Sequence, residues 1–190
     1  MQSREKKREM PPMSTPAIKR PGKMLSELLV QLERAGEVTS QSLVQLLARF
    51  PLGEDDLLHW ISFSQDHYVR TRVHLTPNYE IFCCCWLPGQ FSPIHDHFSS
   101  AAAIQVIKGT ATETLYQYKS QGKVVRTESR ERRQGTVYGE ANLIHELGNA
   151  PSSSKELVTL HVYFPPFPTV NGGVYEGGRV LHEWIPTKQN

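Results

Sequence analysis

Leucines at helical spacing open the ordered part of the chain. Leu25, Leu28, Leu29 and Leu32 recur three and four residues apart, which predicts one apolar helix face, with Gly36 as its stop. Thr39 or Ser40 can cap a second helix whose Leu43, Leu46 and Leu47 share a face, and Pro51-Leu52-Gly53 breaks it. A short acidic-started helix, Glu54 to Trp60, is expected next. From about Tyr68 the pattern changes to short runs rich in Val, Ile, Tyr and Thr, punctuated by Gly, Pro and Asn. The runs fall at 68–75, 80–87, 101–107, 111–118, 123–129, 135–138, 142–147 and 156–164. Many short strands at such intervals predict an antiparallel sandwich or barrel. The expected organisation is a tail over residues 1–23 and one domain over 24–190, with a helical cap at 24–62 and a β body at 68–190.

Composition narrows this picture. The 190-residue chain is 38% hydrophobic and 21% charged, enough apolar material for one real core. Its net charge is +2, but Arg4, Lys6, Lys7, Arg8, Lys19, Arg20 and Lys23 crowd the tail. The tail also carries Pro11, Pro12, Pro16 and Pro21 and reads as flexible. The body is then close to neutral, which gives no electrostatic case for nucleic acid as partner. No stretch approaches the roughly 18 apolar residues of a membrane span, and the basic start has no apolar run of a secretory signal behind it. Cys83, Cys84 and Cys85 are consecutive, so neighbours point to opposite faces of an extended chain and form no disulfide framework. They read as small apolar residues of a buried strand in a reducing, cytoplasmic protein.

Candidate chemistry begins at Pro93-Ile94-His95-Asp96-His97. Residues two apart on a strand face the same way, so His95 and His97 can aim two imidazoles at one metal ion, with Asp96 facing away. Histidine ligands accept zinc, nickel, copper and iron alike, so the residues themselves leave the metal open. His59, His67, His74 and His182 have no such partners and read as surface or packing residues, and Trp60, Trp86 and Trp184 as core or cap contacts.

The surroundings of this pair resemble the first motif of the cupins. Gly89, His95, His97 and Gly109 sit on its spacing, and its glutamate position is Ala102. His145 followed by Asn149 resembles the end of the second motif. The resemblance sharpens to the cysteine dioxygenase family, through IHDHFSSAAAIQVIKGTATETLY from Ile94 and TLHVYFPPF from Thr159 to Phe167, with His145 between them. It implies a mostly β cupin (double-stranded β-helix, jelly-roll) barrel under a small helical cap. It also implies one iron(II) per chain, held by His95, His97 and His145 without a carboxylate. Such a site suits a substrate that brings its own anionic soft ligand, a thiolate.

The same resemblance assigns further residues. His161 and Tyr163 match the family's histidine–tyrosine pair, and Thr159 the hydroxyl residue that orients the histidine. Spacing agrees, because Thr159, His161 and Tyr163 share one strand face. Arg70 matches the arginine that pairs with the substrate carboxylate, though Arg72 shares its face and leaves the register open. Tyr68 is a further pocket candidate. At the position of Ala102 the mammalian members have a cysteine that crosslinks to the pocket tyrosine. Tyr163 is thus expected to stay an unmodified phenol, as in bacterial members. The chain after Phe167 departs from the mammalian pattern.

The implied activity is the conversion of L-cysteine and O2 to cysteine sulfinic acid, in cysteine catabolism, by a monomer or weak homo-oligomer. Two alternatives stand beside it. One is the same chemistry on another thiol acid such as 3-mercaptopropionate. Relatives with that preference carry glutamine where Arg70 stands and lack the Tyr163-Phe164-Pro165-Pro166 turn. The other is a non-catalytic cupin that binds a metal or small ligand.

Overall fold

In the computed structural model, residues 21–97, 100–119, 124–139 and 143–166 are described, with the backbone of two short strands at 174–176 and 179–181. Most of the basic tail, His182, Trp184 and most of the segment after Phe167 lie outside the described residues.

Among the described residues three helices precede the strands: α1 (Lys23–Glu33), α2 (Ser40–Leu47) and α3 (Glu54–Leu57). Leu25, Leu28 and Leu32 form the buried stripe of α1, and Leu43 and Leu47 that of α2. Thr39 is the N-cap of α2. Its Oγ1 accepts from the Ser42 amide at 3.1 Å, and Ser42 Oγ accepts from the Thr39 amide at 2.9 Å. The two bonds satisfy amides that the helix start would leave bare. The third helix is shorter than its expected extent to Trp60. Beyond Leu57 the chain tightens, with the Trp60 amide bonded to the Leu57 carbonyl at 2.8 Å, and this turn buries the Trp60 indole in the cap.

Among the described residues eleven strands follow, β1 (Val69–Leu75), β2 (Glu80–Trp86), β3 (Ile94–His95), β4 (Ala101–Lys108), β5 (Thr110–Tyr118), β6 (Val124–Arg133), β7 (Val137–Tyr138), β8 (Ile144–Gly148), β9 (Leu157–Phe164), β10 (Val174–Glu176) and β11 (Arg179–Leu181). They form a five-stranded sheet, β1-β2-β9-β4-β7, and a six-stranded sheet, β11-β10-β3-β8-β5-β6. This is the mostly β, double-stranded β-helix barrel with an N-terminal helical cap that the sequence predicts. The β6 strand runs further than the expected 123–129. The charged residues Arg130–Arg133, beyond the expected strand, continue the outer strand and stay paired with β5.

Strand alternation gives the five-stranded sheet two different faces. Val69, Ile81, Cys83, Cys85, Ala103, Ile107, Val158, Leu160 and Val162 point outward and pack with the helix leucines. Each leucine buried there stabilises the fold by about 1.5–3 kcal/mol relative to exposure. Phe82, Cys84, Trp86, Ala102, Ile104, Val106 and Tyr163 point into the barrel, where Ala111 and Leu147 of the other sheet meet them. The three cysteines are free and buried, with Cys84 alone facing the interior. No helix among the described residues is long and apolar enough to cross a membrane.

The glycines of the cupin-like spacing are turn residues. Gly89 has φ +88° and Gly109 φ +82°. A Cβ on Gly109 would also stand 2.5 Å from the Glu156 carbonyl oxygen. Both positions therefore favour glycine. Asn149 is buried and ties the same end of the barrel together. Its Nδ2 donates to the Trp86 and Lys155 carbonyls at 3.2 and 2.8 Å.

Candidate metal centre

Antiparallel pairing of β3 with β8 sets His95 directly opposite His145. The sequence predicts His95 and His97 on one strand, but that strand ends at His95. His97 lies beyond the strand, its carbonyl accepting from the Ser100 amide at 3.0 Å. Its imidazole still reaches the same point. Ring centroids are 4.8 Å apart for His95–His145 and for His97–His145, and 5.3 Å for His95–His97. The three offer ligand atoms that all lie within 4.8 Å of one another. His145 Nε2 is 3.2 Å from His97 Nε2. Two nitrogens bound at about 2.0–2.1 Å to one ion stand about 3 Å apart, so this spacing fits a shared divalent cation. Ala102 supplies no carboxylate, and neither Asp96 nor any other acid joins the group among the described residues.

The rings are aimed by bonds at their other nitrogens. His95 Nδ1 lies 2.9 Å from the Pro93 carbonyl oxygen, and His145 Nδ1 lies 3.0 Å from Glu113 Oε1. Both oxygens accept, so Nδ1 carries the proton and Nε2 keeps its lone pair for a metal. Burial and the neighbouring His145 push the pKa of His95 down to about 3. Burial, with the charges of His145, His95, His161 and Arg70, holds His97 well below the ordinary range. Both rings are therefore in the neutral form that metal ligation needs.

Beside them, Thr159, His161 and Tyr163 share the inner face of β9. Thr159 Oγ1 is 2.8 Å from His161 Nε2, and His161 Nδ1 is 3.2 Å from the Tyr163 hydroxyl. The Tyr163 ring meets His97 edge to face at 5.3 Å. Burial raises the Tyr163 pKa well above its ordinary value against the opposing pull of Arg70, so the phenol stays protonated. Trp86 extends the chain, its Nε1 donating to Thr159 Oγ1 at 3.0 Å, while Tyr68 stacks on the indole at 4.1 Å.

Geometry separates the two arginines. Arg70 is 8% exposed, its guanidinium 3.5 Å from the Phe82 ring centroid and 5.9 Å from that of Tyr163. The Arg72 side chain is 34% exposed and sits 3.6 Å from the buried carboxylate of Glu80. Arg70 thus lies the deeper of the two, against Tyr163, while the Arg72 guanidinium stands 5.4 Å over the same Phe82 ring and pairs with Glu80.

The residues assigned to the site from the sequence, Arg72 apart, meet at this one interior. Missing from that set are Glu113, Arg132, Phe82 and the role of Trp86. Glu113 left a signal, since a carboxylate that shares a strand face with Ala111 and Leu115 must find a partner when buried. Arg132 left none, because it lies in a run of exposed charges.

Comparison with known proteins accords with this arrangement. The family model for cysteine dioxygenase type I matches residues 13–174. Human cysteine dioxygenase type 1 is 27% identical over 150 residues, covering 76% of this chain and 74% of the human protein. The Danio rerio protein of the same name is 26% identical over 153 residues, covering 75% and 74%. Among solved structures, TT1209 from Thermus thermophilus superposes with TM-score 0.49 at 18% identity, over 58% of this chain and 95% of that one. A Klebsiella pneumoniae protein with a double-stranded β-helix domain superposes with TM-score 0.45 at 19% identity, over 57% and 81%. With the family model spanning most of the chain, this protein belongs to the cysteine dioxygenase type I family.

Proposed function

We propose that the chain is an iron(II)-dependent thiol dioxygenase whose substrate is L-cysteine and whose product is cysteine sulfinic acid. The observation that carries this reading is the placement of the Arg70 guanidinium, buried over Phe82 and next to Tyr163, beside three histidines that have no carboxylate among them. An anionic substrate supplies what that site lacks. Its carboxylate would pair with Arg70 through two parallel hydrogen bonds, and this fixes where the sulfur lies.

His95, His97 and His145 would hold one iron(II), which supplies the redox-active centre that lets dioxygen react with a thiolate. Both oxygen atoms pass to sulfur, RSH + O2 → RSO2H. Sulfur loses four electrons and dioxygen gains four, so no external reductant enters. Tyr163 holds its proton, and His161 positions its hydroxyl at 3.2 Å, so the phenol can donate to substrate carboxylate or to reacting oxygen. The buried aromatic wall of Phe82, Trp86 and Tyr68 excludes water and strengthens the Arg70 pairing.

The test is anaerobic loading with iron(II), addition of cysteine, then admission of oxygen while uptake and product mass are followed. One O2 consumed per cysteine, with a product heavier by two oxygen atoms, is the expected result. Uptake with 3-mercaptopropionate and none with cysteine would overturn the substrate. No uptake with either, with iron bound, would overturn the activity.

A further inference from the structure

Glu113 is a buried carboxylate, 2% exposed, with no part in the chemistry above. It lies on β5 two residues before Leu115, the partner of His145 in the β5–β8 ladder. One oxygen is the acceptor for His145 Nδ1 at 3.0 Å. The other accepts from Arg132 Nε and Nη2 at 3.2 and 3.0 Å. The Arg132 guanidinium in turn lies 4.6 Å over the Tyr138 ring.

The three histidines are therefore not equivalent. His95 is aimed by a neutral carbonyl in its own approach segment, whereas His145 is aimed by an anion fixed from two other strands. A carboxylate on the far nitrogen of a ligating imidazole sets its tautomer and ring plane and makes it a stronger donor. The ligand set lacks an anion because Ala102 stands at the glutamate position. Glu113 places one a ring's width further out.

Resting on the metal-centre reading, we propose that Glu113 is the positioning residue for His145, fixing the Nδ1–H tautomer and strengthening the ring as a ligand, with Arg132 and Tyr138 holding the carboxylate in place. The plain rival is an ion pair that only fastens β5 to β6. The two differ in the metal-free protein and in metal affinity, neither of which requires turnover.

The experiment compares wild type, Glu113→Gln and Arg132→Met. Long-range proton–nitrogen spectra of the metal-free chains report the His145 tautomer, and cobalt(II) affinity is read by competition with a chelator. Wild type is expected to show His145 protonated at Nδ1. Glu113→Gln, whose amide can also donate, is expected to lose that preference and bind cobalt(II) about ten- to a hundredfold more weakly. Arg132→Met keeps the carboxylate but loosens its hold, and is expected to lower the unfolding midpoint and to weaken cobalt(II) binding less than Glu113→Gln does. Wild-type His145 protonated at Nε2 would overturn the inference even if Glu113→Gln fails to fold. So would equal cobalt(II) affinity in wild type and Glu113→Gln. A wild-type chain that takes up no cobalt(II) would remove the metal centre itself, and the inference with it.

Discussion

Ala102 stands directly opposite Tyr163 in the β4–β9 ladder. Cβ atoms of residues so paired are about 4.5–5.5 Å apart, within reach of a thiol on one side and a phenol ring on the other. Alanine leaves the phenol unmodified. Ala102→Cys is expected to crosslink to the Tyr163 ring when the iron(II)-loaded protein turns over cysteine in air. A peptide map should show the two peptides joined, with the loss of two hydrogen atoms. Separate peptides after sustained turnover would show that the register does not bring the two side chains together.

The contrast between Arg70 and Arg72 makes a second prediction. Hydrogen bonds to a charged partner contribute about 1.5–3 kcal/mol, so Arg70→Gln should raise KM for cysteine roughly ten- to a hundredfold. Arg72→Gln should leave KM near wild type and act on stability instead, because its partner is Glu80 at 3.6 Å. Steady-state kinetics on both variants decide it. A large KM effect confined to Arg72→Gln would reverse the assignment.

The helices and the strand pattern were legible from local periodicity, while the roles of Arg70, His145, His161 and Tyr163 were legible only through resemblance to the family. Alternation put Thr159, His161 and Tyr163 on one face, and leucine spacing marked α1 and α2. The three-residue β10 and β11 were not legible, and β3 was expected to run on through His97, since strands so short carry no alternation. Their pairings, not their composition, define them. Glu113 and Arg132 escaped for another reason. They meet His145 and Tyr138 only after β5, β6, β7 and β8 assemble, so the contacts leave no mark at any fixed spacing.

Buried neutral histidines make the metal-free fold acid-sensitive. His97 and His161 are both buried, and burial first, then neighbouring positive groups, depresses both pKa values well below the ordinary 6.5. Below pH 6.5 the unfolded chain takes up protons that the folded chain refuses, so stability falls as pH falls, towards the folded pKa values. The two together give a limiting slope of about 2.7 kcal/mol per pH unit. The half-buried His95 shifts in the same direction and adds to the slope. Urea unfolding of the metal-free protein should show its midpoint dropping steeply between pH 7 and pH 5. A midpoint flat across that window would mean that these rings are not buried as neutral groups.

Trp86 sets the direction of the hydrogen-bond chain that ends at Tyr163. An indole N–H only donates, so Thr159 Oγ1 is the acceptor at 3.0 Å and its own proton is available to His161 Nε2 at 2.8 Å. His161 then carries its proton on Nδ1 and donates to the Tyr163 oxygen at 3.2 Å. That leaves the phenol proton directed away from His161, towards whatever occupies the pocket. Trp86→Phe keeps an aromatic ring for Tyr68 to stack on but removes the donor, so both lone pairs of Thr159 Oγ1 are open and acceptance from His161 competes better. The wild-type nitrogen spectrum should show His161 protonated at Nδ1, and Trp86→Phe should shift population to Nε2. With about 1 kcal/mol of hydrogen bonding redirected, kcat should fall roughly fivefold. Tyr163→Phe should lose activity without moving the His161 tautomer, because Thr159 and Trp86 still set it. A Trp86→Phe variant with an unchanged tautomer and unchanged kcat would show that the chain is oriented from the tyrosine end.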